Sequence, residues 1–151
     1  MSEIDVTVLI ASVIAAAAPI LLATLGETIT EKSGIINLSL DGTILLSAMS
    51  AFVIALKTDS LLLGFIAAAV VGGLVASFVA FFGIYLKQNQ VAVGFVLTLM
   101  TRDLAYFIGS PYSRMQGPQT VPVPVPVLSD MPFFGEVFFR HTLPVYFSMV
   151  M

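Results

Sequence analysis

Glu27 and Glu31 stand one helical turn apart, so on a helix their carboxylates share a face. Such a pair can act as acid and base, or as half of a metal site, if further ligands or a positioned partner join it. Lys32 follows directly, and the competing reading is a cluster of charges at a membrane interface. The rest of the sequence gives catalysis no support. His141 is the only histidine and there is no cysteine, which removes thiolate zinc sites, thiol nucleophiles and disulfides. Neither a Gly-x-x-x-x-Gly-Lys-[Ser/Thr] loop for nucleotide phosphates nor a Gly-x-Ser-x-Gly elbow occurs. The expectation is a chain with no catalytic residues, no metal and no cofactor.

The remaining polar chemistry lies in residues 26–42. Gly34 and Gly42 can interrupt a helix, Asn37 and Ser39 offer an amide and a hydroxyl, and Asp41 offers a carboxylate at a possible helix start. This passage sits between two strongly apolar segments. The chain of 151 residues is 58% hydrophobic and 10% charged, with a mean hydropathy of +1.04. A soluble domain carries about 25% charged residues, and a soluble chain of this size could not hide so much apolar surface. The sequence is that of an integral membrane protein whose solvent is the lipid bilayer. A net charge of −3 gives no case for a nucleic-acid partner.

The fold class expected is all-α, a polytopic transmembrane helical bundle of about four full spans plus the start of a fifth. The spans are placed at residues 6–25, 35–56, 61–86, 91–109 and 143–151 of one transmembrane domain. Glu3 and Asp5 precede the first apolar run where a cleaved signal would carry positive charge, so that run is read as a retained helix. Pro19 lies inside it, as a kink or a hinge. The second apolar run is short for a crossing unless its helix begins near Ile35 and takes in Asn37, Ser39 and Asp41. Otherwise it is a broken helix.

In the third span Gly64, Ala68, Gly72, Ala76 and Ala80 recur every fourth residue, with Ala69, Gly73 and Ser77 beside them. Small residues at that spacing let membrane helices approach closely. Arg102 and Asp103 fall inside the fourth span. Either they meet other helices, or the membrane part ends near Met100. Pro111, Pro118, Pro122, Pro124, Pro126 and Pro132 rule out a continuous helix after it. Residues 121–127 are expected to be extended within a Pro-rich extramembrane loop, with a short interfacial helix near residues 133–139. Residues 143–151 read as the start of a fifth span, so the chain is expected to be an N-terminal fragment.

With catalysis set aside, solute transport remains. Small polar solutes cross membranes where helices are interrupted and half-helix ends, amides and hydroxyls face a cavity. Asn37, Ser39, Asp41 and Glu27 are the candidate pathway residues.

The string Leu25-Gly26-Glu27, then Glu31-Lys32-Ser33-Gly34-Ile35-Ile36-Asn37-Leu38-Ser39-Leu40-Asp41-Gly42, resembles a signature of bacterial ABC-importer permeases of the branched-chain amino acid/ribose/nucleoside type. Asn89-Gln90-Val91-Ala92-Val93-Gly94-Phe95-Val96-Leu97-Thr98 resembles the family's next landmark, and Gly109-Ser110-Pro111-Tyr112 fits too. The resemblance implies a permease about twice this length carrying a nucleoside or simple sugar. It implies as partners a second permease subunit, cytoplasmic ATP-binding subunits and an extracytoplasmic solute-binding protein. It also implies an outside N-terminus, a cytoplasmic 26–33 side and an outside Pro-rich loop. A literal count of basic residues points the other way, with Lys32 and Lys87 on one side and Lys57, Arg114, Arg140 and His141 on the other. Arg102-Asp103 departs from the family pattern. The alternative reading is a small non-transporting membrane protein that self-associates through the Gly64/Ala68/Gly72/Ala76 face.

Overall fold

The computed structural model describes residues 6–120, 137 and 141–151. Among them the regular structure is helical: α1 (Val6–Lys32), α2 (Leu40–Thr58), α3 (Leu61–Ala80) running into a π-helical turn (Phe81–Tyr85), α4 (Gln90–Gly109) ending in a 3-10 turn (Ser110–Tyr112), and α5 (Leu143–Val150). Four of these helices, counted with their adjoining turns, are long and apolar enough to cross a membrane. The all-α polytopic class read from composition therefore holds. The extended 121–127 run lies outside the described residues, as does the helix expected near residues 133–139 except for the helical Val137.

The chain divides into two compact units, Met1–Gly26 with Thr120–Met151, and Glu27–Gln119. In the first, α1 runs without a break through Pro19. His141 donates from Nε2 to the Val137 carbonyl at 2.7 Å, and its backbone N–H donates to the Tyr146 hydroxyl at 3.0 Å. These bonds fix the entry to α5, which Pro144 helps to start because its missing N–H would have no partner there.

The second unit is built on α2, which packs against both α3 and α4 while those two hardly meet. Its core joins Leu46, Val75 and Ala105, one from each helix, with Met49, Val71 and Ile108 around them. Outward faces are apolar: Leu62, Phe65, Ile66, Val70, Leu74 and Phe78 of α3 are all exposed. In water that stripe would be an aggregation hazard. In lipid it is the ordinary exterior of a span.

Glycines set how closely the helices approach. A Cβ on Gly64 would lie 2.9 Å from the Ala51 carbonyl and 3.0 Å from the Ala55 methyl, so α3 meets the backbone of α2 there. A Cβ on Gly42 would come within 2.9 Å of the Thr98 Cα and closer still to the Thr98 carbonyl and Thr101 hydroxyl of α4. A Cβ on Gly94 would lie 2.8 Å from the Leu38 backbone nitrogen. The four-residue stripe on α3 turns out to be only partly a packing face. Gly64 is buried and Ala68 and Gly72 are half-buried, but Ala76, like Ala69, Gly73 and Ser77, is exposed. A repeat of four drifts about 40° per step on a helix of 3.6 residues per turn, so the stripe winds off the contact and Val75 and Val79 replace it.

Several boundaries differ from the sequence reading. α1 continues past residue 25 to Lys32, so Glu27 and Glu31 are helical. α2 begins at Leu40 rather than near Ile35, leaving Asn37 and Ser39 before it, and gains its length at the other end by running to Thr58. The third span, expected as one helix over 61–86, becomes π-helical at Phe81. α4, by contrast, keeps the expected 91–109 extent within a residue and carries Arg102 and Asp103 inside it. The turns between helices are tight, with Asp59 at φ 50° and Lys87 at φ 52° in the left-handed region.

The glycine contacts give a paired test. Gly42→Ala should destabilise the chain by about 1–3 kcal/mol through overpacking. Gly73→Ala, with open space around its Cβ, should leave it unchanged or add about 0.5–1 kcal/mol by helix propensity. Thermal unfolding in detergent followed by circular dichroism separates the two. Equal shifts would show that α2 and α4 do not meet at Gly42.

Candidate functional site

The passage singled out in the sequence folds as a clasp between helices. α1 ends in a Schellman motif: the Gly34 N–H bonds the Glu31 carbonyl at 2.9 Å and the Ile35 N–H reaches the Thr30 carbonyl at 3.1 Å. The motif needs a left-handed residue, and Gly34 supplies it with φ +83°. The chain then runs without helix until Leu40. In an apolar setting backbone groups outside a helix need partners, and side chains provide several of them.

Glu27 Oε1 accepts the Asn37 N–H at 3.3 Å, and its other oxygen accepts the Thr30 hydroxyl at 3.3 Å. Asn37 Oδ1 accepts both the N–H of Ser39 at 3.0 Å and its hydroxyl at 2.6 Å. Ser39 is fully buried, and its carbonyl accepts the Thr43 hydroxyl at 2.7 Å in the first turn of α2. The far side of the clasp comes from α4. Gln90 Oε1 accepts the Ile36 N–H at 2.9 Å, and the Thr98 hydroxyl donates to the Leu38 carbonyl. Gln90 reaches across because its stem lies on Gly83, whose Cβ would stand 3.1 Å from Gln90 Cγ. Gly83 is in the π-helical turn. Asn89 caps α4, its Oδ1 accepting from the Val91 and Ala92 N–H groups.

Two stretches far apart in sequence, 26–42 and 89–98, therefore form one structure. The four residues assigned to a pathway divide within it. Asn37 and Ser39 spend their polar atoms on each other and on the backbone. Glu27 holds the Asn37 N–H. Asp41 is exposed in the first turn of α2, where a carboxylate is favoured by the positive end of the helix dipole. No cluster of His, Cys, Asp or Glu suited to a metal occurs among the described residues. Gln90, Gly94 and Thr98 were not singled out individually in the sequence, because nothing local says that their partners lie more than fifty residues away.

The likeness to known proteins runs along nearly the whole chain. Residues 9–151 match the model of the branched-chain amino acid transport system / permease component family. The chain belongs to this family.

Among curated proteins, this permease chain is 38% identical over 146 residues to a putative glucose ABC transporter permease protein of Haloferax volcanii, covering 94% of the chain and 44% of that protein. It is 27% identical over 155 residues to a nucleoside ABC transporter permease protein of Lactococcus lactis, covering 95% of the chain and 49% of the relative. It is 24% identical over 156 residues to a guanosine ABC transporter permease protein of Bacillus subtilis, covering 96% and 48%. The chain thus spans about half the length of the curated relatives it matches. No solved structure matches it. Family and helices together make it part of a multi-pass permease of the plasma membrane.

The clasp predicts a graded effect. Asn37→Ala strands the buried Ser39 hydroxyl and should cost about 1–3 kcal/mol, whereas Asn37→Asp keeps the accepting oxygen and most of the stability. Hydrogen exchange of the Ser39 amide is the check. Unchanged protection in Asn37→Ala would mean that the side chain does not hold the loop.

Proposed function

We propose that this chain is the N-terminal part of a permease subunit of an ABC-type importer that moves a small polar solute, a nucleoside or simple sugar. ATP hydrolysis belongs to separate cytoplasmic subunits, a second permease completes the membrane path, and an extracytoplasmic binding protein delivers the solute. The observation that carries this reading is the helix break between α1 and α2. A polar loop braced by side-chain hydrogen bonds joins two apolar helices, with the Asp41 carboxylate exposed where α2 begins. Interrupted helices of this kind form solute and ion sites in transporters. The relatives named for glucose, nucleosides and guanosine support the solute class.

The roles within the loop follow from its bonds. Glu27, Asn37 and Ser39 fix the shape of the break, and Asp41 is the member with a polar head turned outward. In the orientation adopted, α1 starts outside and the loop lies toward the cytoplasm. The self-association reading is weakened because Gly64, the buried anchor of the small-residue face, already packs on α2 of the same chain.

In the full-length transporter with its partners, Asp41→Ala is expected to reduce uptake of labelled glucose or guanosine while the complex still assembles in the membrane. Asn37→Ala should reduce uptake as well, together with its loss of loop protection. Wild-type uptake in both variants would take the loop out of the pathway.

A further inference from the structure

The two sides of α2 differ in chemistry. Between α3 and α4 lies a groove of about 740 Å³ lined by Val71, Val75, Phe78, Val96 and Leu97 among others. It offers hydrocarbon almost throughout and suits a lipid tail or an apolar helix. On the other side, toward the end of α4, α2 and α4 flank a half-open cavity of about 590 Å³. Leu45, Met49 and Phe52 of α2 form an apolar wall, and the hydroxyl-bearing residues Tyr106, Ser110, Tyr112 and Ser113 are among those that line it, the Ser113 hydroxyl donating to the Ser110 carbonyl at 3.2 Å. Both tyrosines carry a cation. The Arg102 guanidinium lies 5.9 Å from the Tyr106 ring centre, and the Lys57 ammonium lies 5.7 Å from that of Tyr112.

The position of Arg102 makes this more than a surface feature. It stands about 18 Å along α4 from Gln90, inside an unbroken apolar helix. Arg102 and Asp103 are both exposed, and α4 turns Thr101, Ala105 and Gly109, not these two, into the protein. A charge there cannot rest against lipid cheaply, so the face meets protein or water. Close seams between membrane helices are made of small residues. This face, with Leu99, Arg102, Asp103 and Tyr106, has none, which favours water.

We propose that this cavity is a solute vestibule on the permeation path, and that it takes a polyhydroxylated ring, a monosaccharide or the ribose of a nucleoside. The inference rests on the importer reading and adds a site to it. The apolar C–H face of such a ring stacks on Tyr106 or Tyr112, whose rings the two cations flank, and its rim of hydroxyls exchanges hydrogen bonds with Ser110 and Ser113. The volume falls within the range of small-molecule sites, about 300–1,000 Å³. In the proposed orientation the vestibule opens on the side where the binding protein releases its cargo. Arg102-Asp103, out of place in a lipid-facing helix, belongs beside such a site.

The test uses the assembled full-length transporter in proteoliposomes, with cysteines elsewhere replaced, and labelled glucose and guanosine as probes. The described chain has no native cysteine to interfere. Ser110→Cys and Ser113→Cys should react with a membrane-impermeant methanethiosulfonate reagent and be slowed severalfold by the transported probe, while Ile66→Cys on the exposed face of α3 stays unreactive. Tyr106→Leu should lower uptake about ten-fold or more, a loss of about 1.4 kcal/mol, and Tyr106→Phe should retain most of it. The proposal is overturned if both cysteines are unreactive, as a lipid- or protein-filled cavity would make them. It is equally overturned if they react at the same rate with and without the transported probe, or if Tyr106→Leu imports as wild type. A wild-type transporter that moves neither probe fails the importer reading, and the vestibule with it.

Discussion

A backbone that leaves the helix in an apolar solvent must bring its own hydrogen-bond partners, and this constraint shapes the second unit. Seven residues separate α1 from α2. Most of their N–H groups, and the Leu38 carbonyl, are met by Glu27, Asn37, Gln90 and Thr98 and by the Schellman turn at Gly34. Side chains as short as threonine can do this only if α4 lies against the loop. The missing Cβ atoms of Gly42 and Gly94 make that approach possible. Loop, α2 and α4 are therefore one solution to one problem, and the strings that resemble the family signature supply many of its parts.

The relatives add meaning to the split between the two faces of α2. Proteins named for glucose, nucleosides and guanosine differ in cargo. A clasp built of backbone bonds does not depend on cargo. Side chains such as Tyr106, Ser110 and Arg102 can vary without disturbing it, since none of them is needed to satisfy the loop. On the proposed vestibule, the residues that hold the loop and those that would meet the solute are different ones.

Much of the architecture was legible in the sequence because lipid imposes simple rules. Apolar runs of about 20 residues marked the long helices, and Gly34 stood where a helix stop belongs. What was not legible depends on distance or on angle. The start of α2 was misplaced because hydropathy cannot see Asn37 bonding Ser39 in place of a helical turn. Ala76 was counted in a packing face because a spacing of four ignores the drift of a 3.6-residue helix. The π-helical turn at Phe81–Tyr85 has no signature in residue type. Its use emerges only with Gln90 lying on Gly83. Asn37, Ser39, Asp41 and Glu27 were proposed for a pathway by residue type and position, which could not tell that Glu27, Asn37 and Ser39 bond within the loop while Asp41 is exposed.

The tight turns at Asp59 and Lys87 bear on how the chain is made. Two residues join α2 to α3 and four join the π-helical turn to α4, so α2 meets α3 as soon as both have emerged but waits for α4 across the whole of α3. The clasp waits with it, for Ile36 and Leu38 find partners 54 and 60 residues downstream. Until α4 has been threaded into the bilayer, the stretch after α1 carries orphaned amide and carbonyl groups and cannot settle among the helices. Arrival of Gln90 and Thr98 closes it, so the order of biosynthesis is written into the hydrogen bonds of the finished fold.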